Sequence, residues 1–493
     1  MGLGLGLITG AFEADSSWGT GLQVSVLLAI IGQLLAITFV LRVLERGGSP
    51  SATLSWVLFI LAAPYVGLIA YYALPRRISR RRLTRRRNRI SWIESSLAGD
   101  REAAGPAVCP EDPLARMLHK IDPDSVCHGN ALSLIESGPD FLARAEAVLA
   151  KAKHFVHFET YILRPDPSGV KFIELLTKTA QRGVQVRLLY DSMGSWWLKA
   201  HHLRALHEAG GKSAPFMPMF WRRRPFNLNL RNHRKQLFVD GYVGFCGGRN
   251  VGDEYMKDRF GEKHRWLDAM VEVEGPAVMR MHRAFVEDWF GATEEDLAKP
   301  EYFPRPAPAG PDPIGVVASG PDKAFTTFHW MLFQMFAQAT TSIDVSSPYV
   351  VPHQTIQTAL QVAAARGVRV RIFTNGRASE QPVLYRAQRS YYRDLLASGI
   401  EIYETVADYN HAKAIVVDDS HVFVGSPNID VRSTDLNFEI GVVAFRSTMV
   451  GKVREALERH LAAGRRVEVA DLASDSRVAR ISQGICRLMS PLL

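Results

Sequence analysis

Two long apolar runs open the chain. Gly21–Leu41 carries no charge over a length that matches the roughly 20 residues a bilayer-spanning helix requires. Ala52–Leu74 is a second uncharged run, and its Pro64 and Gly67 are residues that membrane helices tolerate. The link Arg42–Ser51 is short, so residues 1–75 are expected to form a transmembrane helical hairpin, with helices at about 21–41 and 52–74. A cleavable signal peptide fits poorly, because residues 1–20 hold Glu13 and Asp15 but no lysine or arginine.

Past residue 100 the pattern turns to strand–helix alternation, and it repeats. Ala180–Arg187 reads AQRGVQVR and Ala364–Arg371 reads AARGVRVR, 184 residues apart. Each follows a helix-like stretch and leads into a β-like run. Further on, Asn232–Asn250 reads NHRKQLFVDGYVGFCGGRN and Asn410–Asn428 reads NHAKAIVVDDSHVFVGSPN, 178 residues apart. The smaller offset places a loop six residues longer in the first half. The pattern predicts two similar α/β units, each on a mixed sheet flanked by helices and related by a pseudo-twofold axis. They are expected at 128–303 and 314–465, joined by the proline-rich linker 304–313. A basic juxtamembrane strip and linker fill 76–127. At the end, 466–493 reads as an amphipathic helix: Val478, Ile481, Ile485, Leu488 and Leu492 recur at three- and four-residue steps beside Arg477, Arg480 and Arg487.

Composition narrows the class. With 47% hydrophobic and 22% charged residues, the chain is too apolar to be disordered and too polar to be a polytopic membrane protein. Its net charge of +9 is local, because Arg76–Arg89 holds nine arginines and no acid. Such a strip fixes topology by the positive-inside rule, placing the downstream domain in the cytoplasm, and it attracts an anionic leaflet. The balanced remainder argues against a nucleic-acid track. Four cysteines without C-x-x-C spacing read as reduced core or loop residues.

The repeated element carries the chemistry. His233 and Lys235 alternate along a strand, so both face one side, and Asn250 follows the Gly247–Gly248 turn. His411, Lys413, Ser426 and Asn428 repeat the spacing. If the halves pack together, two imidazoles, two ammonium groups and two amides converge. Lysines, asparagines and Ser426 suit the non-bridging oxygens of a phosphate. One imidazole can attack phosphorus while the other protonates the leaving alkoxide. Asp240 and Asp418 lie at the far ends of their strands, where a structural role is expected. Gly210–Ser213 lacks the first glycine of a phosphate-binding loop, and His201, His202 and His207 lack acidic partners at ligand spacing.

These motifs resemble the HKD phospholipase D superfamily and, within it, the bacterial cardiolipin synthases. Further similar stretches are Phe158–Ile162 (FETYI), Asp191–Ser195 (DSMGS), Gly247–Tyr255 (GGRNVGDEY), Ser347–Pro352 (SPYVVP) and Asn428–Glu439 (NIDVRSTDLNFE). The resemblance implies a phosphatidyltransferase in the bacterial inner membrane that makes cardiolipin from two phosphatidylglycerols and releases glycerol. It implies His233 as nucleophile, His411 as general acid and then base, and Lys235, Lys413, Asn250 and Asn428 as phosphoryl ligands. Glu439 and Asp268 stand where the family places carboxylates that orient the imidazoles. Phosphatidylglycerol and other anionic phospholipids are the expected partners, with no nucleic acid, no metal and no cofactor. Hydrolysis to phosphatidic acid, or a phosphodiesterase acting on nucleic acid, is the alternative. Two departures stand out: Gly248 where the second copy has Ser426, and no aspartate in Asn375–Gln381.

Overall fold

The computed structural model describes residues 6–46, 50–73, 111–218, 230–257, 265–323, 326–377 and 381–489. The expected strip Arg76–Arg89, most of the longer loop of the first half and the terminal Ser490–Leu493 lie outside the described residues. The N-terminal segment and the rest of the chain form two compact units.

In the N-terminal unit, α1 (Gly6–Arg46) begins well before the expected residue 21. Its section Gln23–Glu45 is long and apolar enough to cross a membrane, and no other described helix is. The second expected span is corrected: it is two helices, α2 (Pro50–Ala62) and α3 (Pro64–Ala73), folded back on each other. The Trp56 and Tyr71 rings meet at 5.4 Å, and Gly67 packs so close that an added Cβ would stand 2.9 Å from the Ile60 Cα. Pro64 explains the reversal, since it has no N–H for the preceding turn and its ring blocks regular continuation. At 1.5 Å per residue the arms are about 15–20 Å long, short of the ~30 Å hydrocarbon core. Ala36, Phe39 and Val43 of α1 pack with Ile60 of α2, and the Tyr65 hydroxyl of α3 donates to Leu28 O at 2.6 Å.

Among the described residues the second unit has 19 strands, 15 in one continuous sheet and four in two separate two-stranded ladders. The first half supplies β1 (Val126–Ile135), β2 (Phe155–Thr160), β3 (Gln185–Asp191), β4 (Lys212–Phe216), β5 (Gln236–Val239), β6 (Val243–Gly247), the short β7 (Trp266–Leu267) and β8 (Met270–Glu274). The second half supplies β9 (Asp312–Ser319), β10 (Ser342–Ser346), β11 (Val350–Val351), β12 (Arg369–Thr374), β13 (Glu401–Glu404), β14 (Tyr409–Asn410), β15 (Ala414–Val417), β16 (His421–Gly425), β17 (Ile429–Asp430), β18 (Glu439–Phe445) and β19 (Arg465–Arg466). From the middle outward the first half runs β1-β8-β6-β5-β2-β3-β4, and the second runs β9-β18-β16-β15-β10-β12-β13-β19. The expected pair of separate sheets is thereby fused: β1 and β9 pair antiparallel at the centre. β2, β3 and β4 are parallel, as are β10, β12 and β13, so the sheet is mixed as expected.

Local chemistry sets these elements. Asp166 caps the helix Pro167–Gln181 by accepting from Gly169 N at 2.9 Å, and Pro167 occupies the first turn. The glycines of the repeated RGV, Gly183 and Gly367, take φ values of 87° and 91°, a left-handed stop that ends the helix before the next strand. One face of the sheet packs the central helices Ala277–Thr293 and Met449–Ala463. The opposite face carries the helices Gly138–Lys151 and Pro167–Gln181 of the first half, and Thr327–Gln338, Gln354–Ala365 and Pro382–Ala397 of the second. The C-terminal helix begins at Arg477 and ends at Leu488. It turns Cys486 inward, stacks Arg487 on the Tyr391 ring at 4.2 Å and leaves Val478, Ile481, Ile485 and Leu488 exposed. Cys127, Cys246 and Cys486 are buried free thiols.

Candidate active site

His233 and His411 lie just ahead of β5 and β15, in extended entry segments and not within the strands as expected. Each entry is clamped by the other half. Phe438 N donates to Arg231 O and His233 N donates to Phe438 O, both at 2.9 Å. On the other side Tyr409 N donates to Arg265 O at 2.9 Å, and His411 N to Leu267 O at 2.7 Å. The clamping residues immediately precede Glu439 and Asp268. Each clamp therefore delivers a carboxylate to the imidazole it holds.

Glu439 sits 3.0 Å from His233 Nδ1, and Asp268 sits 2.7 Å from His411 Nδ1. These contacts place the proton on Nδ1 and leave Nε2 of each ring for chemistry. Burial pushes His233 down to about 4 and His411 down to about 3, helped in each case by nearby lysines and opposed by the paired carboxylate. Burial alone would raise Asp268 and Glu439, but the imidazole each one holds and the site lysines keep both below the usual carboxylate range. Both rings are thus neutral near pH 7, and an anionic phosphodiester between them would favour an imidazolium.

Lys235 and Lys413 are buried beside the imidazoles, outside the cavity lining itself. Lys235 Nζ donates to His233 O at 2.5 Å and stands 5.4 Å from the Tyr161 ring centroid; Lys413 Nζ donates to His411 O. Burial lowers both ammonium groups, Lys413 to about 8. Asn250 turns its Oδ1 to Ile162 N at 3.1 Å, and its buried Nδ2 makes no hydrogen bond of good geometry. Asn428 Nδ2 donates to Asp430 Oδ2 at 3.1 Å. Ser426 departs from the expected phosphate-donor role: its hydroxyl is fully buried and donates to Glu439 Oε2 at 2.5 Å. The inequivalence with Gly248 has a steric cause. A Cβ at Gly248 would lie 2.2 Å from Asp268 Oδ1, in space the carboxylate already fills.

The missing aspartate of the second half is also explained. Asp191 Oδ2 accepts from Asn232 N at 3.0 Å, and at the equivalent place Asn375 Oδ1 accepts from Asn410 N at 2.7 Å. The bond is kept without the charge. Beneath the first entry Arg234 joins Asp288 and donates to Glu439 O at 3.1 Å, while Asn232 donates to Glu159 and Asp288. The second entry carries Ala412 in place of Arg234. Asp240 and Asp418 lie away from the chemistry, where each carboxylate accepts backbone N–H groups from the chain entering β2 or β10.

A cavity of about 540 Å³ opens over both imidazoles. Its walls include residues that spacing alone did not single out. The Tyr161 ring meets His233 edge-on at 5.0 Å, and the Tyr255 ring meets His411 at 5.1 Å. Trp266 lies 5.6 Å from His411 and 4.4 Å from Tyr409. Arg231 and Arg432 line the wall near Tyr161. A signal existed for Arg231, which stands two residues before His233 on the same face of an extended segment. Two imidazoles lining one cavity, with buried lysines beside them, suit transfer of a phosphoryl group through a covalent intermediate.

The family model described as "Cardiolipin synthase, PLD-like domain" matches residues 146–289 and 332–461, and a "Phospholipase D-nuclease N-terminal" model matches 33–74. A cardiolipin synthase of Geobacillus kaustophilus is 33% identical over 96% of this chain and 99% of its own length. The major cardiolipin synthase of Bacillus subtilis is 31% identical over 95% of this chain and 99% of its length. Among solved structures, a phosphatidylserine synthase of Haemophilus influenzae superposes with a TM-score of 0.60 at 13% identity, covering 77% of this chain and all of that one.

Proposed function

This chain belongs to the bacterial phospholipase D-like cardiolipin synthases, and on that premise we propose that it joins two phosphatidylglycerols into cardiolipin and releases glycerol through a phosphohistidine on His233. In the first step His233 Nε2 attacks the donor phosphorus. The P–N bond forms as the P–O bond to glycerol breaks, and His411, protonated once the phosphodiester is bound, gives its proton to the departing oxygen. In the second step a hydroxyl of the acceptor headgroup loses its proton to His411 Nε2. Its oxygen takes the leaving group's place as the P–N bond breaks. One phosphodiester replaces another, so no nucleotide is consumed. Lys235, Lys413, Asn250 and Asn428 hold the non-bridging oxygens, and Glu439 and Asp268 keep the imidazoles in the reactive tautomer.

The observation that carries this reading is the crossed pairing of each imidazole with the other half's carboxylate over one shared cavity. The matching strand order of the halves supports reading them as duplicated, pseudo-twofold-related units, bounded near 128–303 and 314–465. The test is to incubate detergent-solubilised protein with phosphatidylglycerol and resolve the lipids by mass spectrometry. Cardiolipin with glycerol is expected; phosphatidic acid as the main product would make the protein a hydrolase.

The protein associates with the membrane through its N-terminal apolar helix. We read the site as cytoplasmic, because Arg42 stands in the last turn of the apolar section of α1, and Arg46 and the nine arginines of 76–89 follow it. The exposed apolar stripe Val478, Ile481, Ile485 and Leu488, edged by arginines, supports placing the C-terminal helix on the same lipid surface.

A further inference from the structure

The two halves match residue by residue around the imidazoles, yet the cavity wall is not symmetric. With the 178-residue offset that carries His233 onto His411, Arg231 corresponds to Tyr409 and Glu254 corresponds to Arg432. With the 171-residue offset that carries Asp268 onto Glu439, Trp266 corresponds to Asn437. All six line the cavity. Because each half lends residues to the other's imidazole, these exchanges sort by chemistry. Arg231, Arg432 and Asn437 gather on the His233–Glu439 side, near the Tyr161 hydroxyl. Tyr409, Trp266 and Glu254 gather on the His411–Asp268 side, around Tyr255.

Such a wall separates two kinds of ligand. The His233 side carries Arg231 and Arg432, with Asp430 beside the latter, and its arginines suit the anionic phosphatidyl group held on that imidazole. The His411 side offers aromatic faces and a carboxylate, the combination that binds a neutral polyol: rings cover its C–H face, and the carboxylate accepts from adjacent hydroxyls. Glu254 is buried, its Oε1 takes Arg164 Nε at 2.9 Å, and no described residue donates to its Oε2. The Tyr409 hydroxyl is tied to that of Tyr349 at 2.5 Å, which fixes the ring against Trp266.

We propose that Glu254, Tyr409 and Trp266 form the subsite for the glycerol headgroup, holding the departing glycerol and then the acceptor's glycerol at the same place, with Glu254 reading the hydroxyl next to the reacting one. In-line displacement puts leaving and entering oxygens opposite the nucleophile, hence beside His411. This subsite rests on the cardiolipin synthase reading with His233 as nucleophile, and it makes Glu254 the residue that prefers a vicinal diol over a simple alcohol.

The phosphoenzyme offers a test, because every acceptor competes for one common intermediate. The ratio of products is therefore independent of how the donor reacted. The full chain in phosphatidylglycerol vesicles would receive labelled glycerol and 1-propanol at equal concentration, with ethanolamine in a parallel mixture. Wild type should favour glycerol over 1-propanol at least tenfold. Glu254→Gln, and the charge-keeping Glu254→Asp with its retracted carboxylate, should cut that ratio about tenfold, as expected for one charge-assisted hydrogen bond. A residue with a merely structural role would lower total turnover and leave the ratio alone, and that result overturns the proposal. A wild-type ratio near one overturns it without any variant. Preference for ethanolamine over glycerol would show that the carboxylate selects a cation, and it too overturns the polyol subsite. Transfer to glycerol without cardiolipin would instead remove the cardiolipin reading and leave the subsite standing.

Discussion

His233 and Glu439 are 206 residues apart in sequence and 3.0 Å apart in the site. The converse pair, His411 and Asp268, closes at 2.7 Å across 143 residues. Neither half holds a complete imidazole–carboxylate pair of its own. Replacing either acid by its amide should leave the fold in place and lower kcat by a hundredfold or more, with KM changed little, because the tautomer and the imidazolium both lose support. Steady-state cardiolipin synthesis in mixed micelles measures this. A large rise in KM with kcat intact would assign the acids to lipid binding.

The imidazole roles separate by trapping. With a phosphatidyl donor carrying a good leaving group, His411→Ala should still accumulate a covalent adduct slowly, since no proton is then needed at departure. His233→Ala should show none. Peptide mass spectrometry that places the adduct on residue 411 would reverse the assignment.

Gly248 and Ser426 should respond differently to exchange. In Gly248→Ser the new Cβ meets Asp268 Oδ1 at 2.2 Å and displaces the carboxylate from His411, so activity should fall at least tenfold. Ser426→Ala removes one hydroxyl from Glu439, worth about 1–2 kcal/mol, and should cost less. Equal losses would mean the turn constrains both carboxylates alike.

A second histidine pair should add to the acid sensitivity that buried His233 and His411 also confer. Arg187 donates to His157 Nε2 at 3.4 Å, so His157 Nδ1 carries the proton it gives to His282 Nε2 at 2.7 Å. Burial, then His282 and Arg187, hold His157 well below its usual range; burial, then Arg187, push His282 down to about 3. The unfolded chain therefore binds more protons than the folded one below about pH 6.5. Stability is full above that value and is lost as pH falls toward the folded values. The Tm of the solubilised protein should drop between pH 7.5 and 5.5. His282→Gln should lower Tm at pH 7.5 yet flatten that drop, and an unflattened profile would place the titration elsewhere.

The C-terminal helix offers a surface test. Ile481→Glu with Ile485→Glu changes side chains that are about half exposed, so Tm in detergent should hold within about 2 °C. Turnover on anionic vesicles should fall several-fold as the helix leaves the lipid surface. Unchanged vesicle turnover would leave the helix a purely internal brace.

Sequence alone determined what depends on identity and spacing. Two copies of H-x-K-x4-D with matching asparagines picked out the histidines, lysines and asparagines of the candidate site, and a charge-free stretch located the long apolar helix, because hydrophobicity and period are properties of the chain itself. Tertiary structure decided what depends on which groups meet. Pro64 bent the second apolar run back on itself, since composition carries no record of where a tolerated proline breaks a helix. The sheets fused because β1 and β9 each present an edge, a pairing that alternation within either half does not reveal. Ser426 passed from phosphate donor to support for Glu439 because packing turns its hydroxyl onto that carboxylate. Only packing, which crosses each half into the other, could show Arg231 and Arg432 gathered on one side of the cavity and Tyr409 and Glu254 on the other.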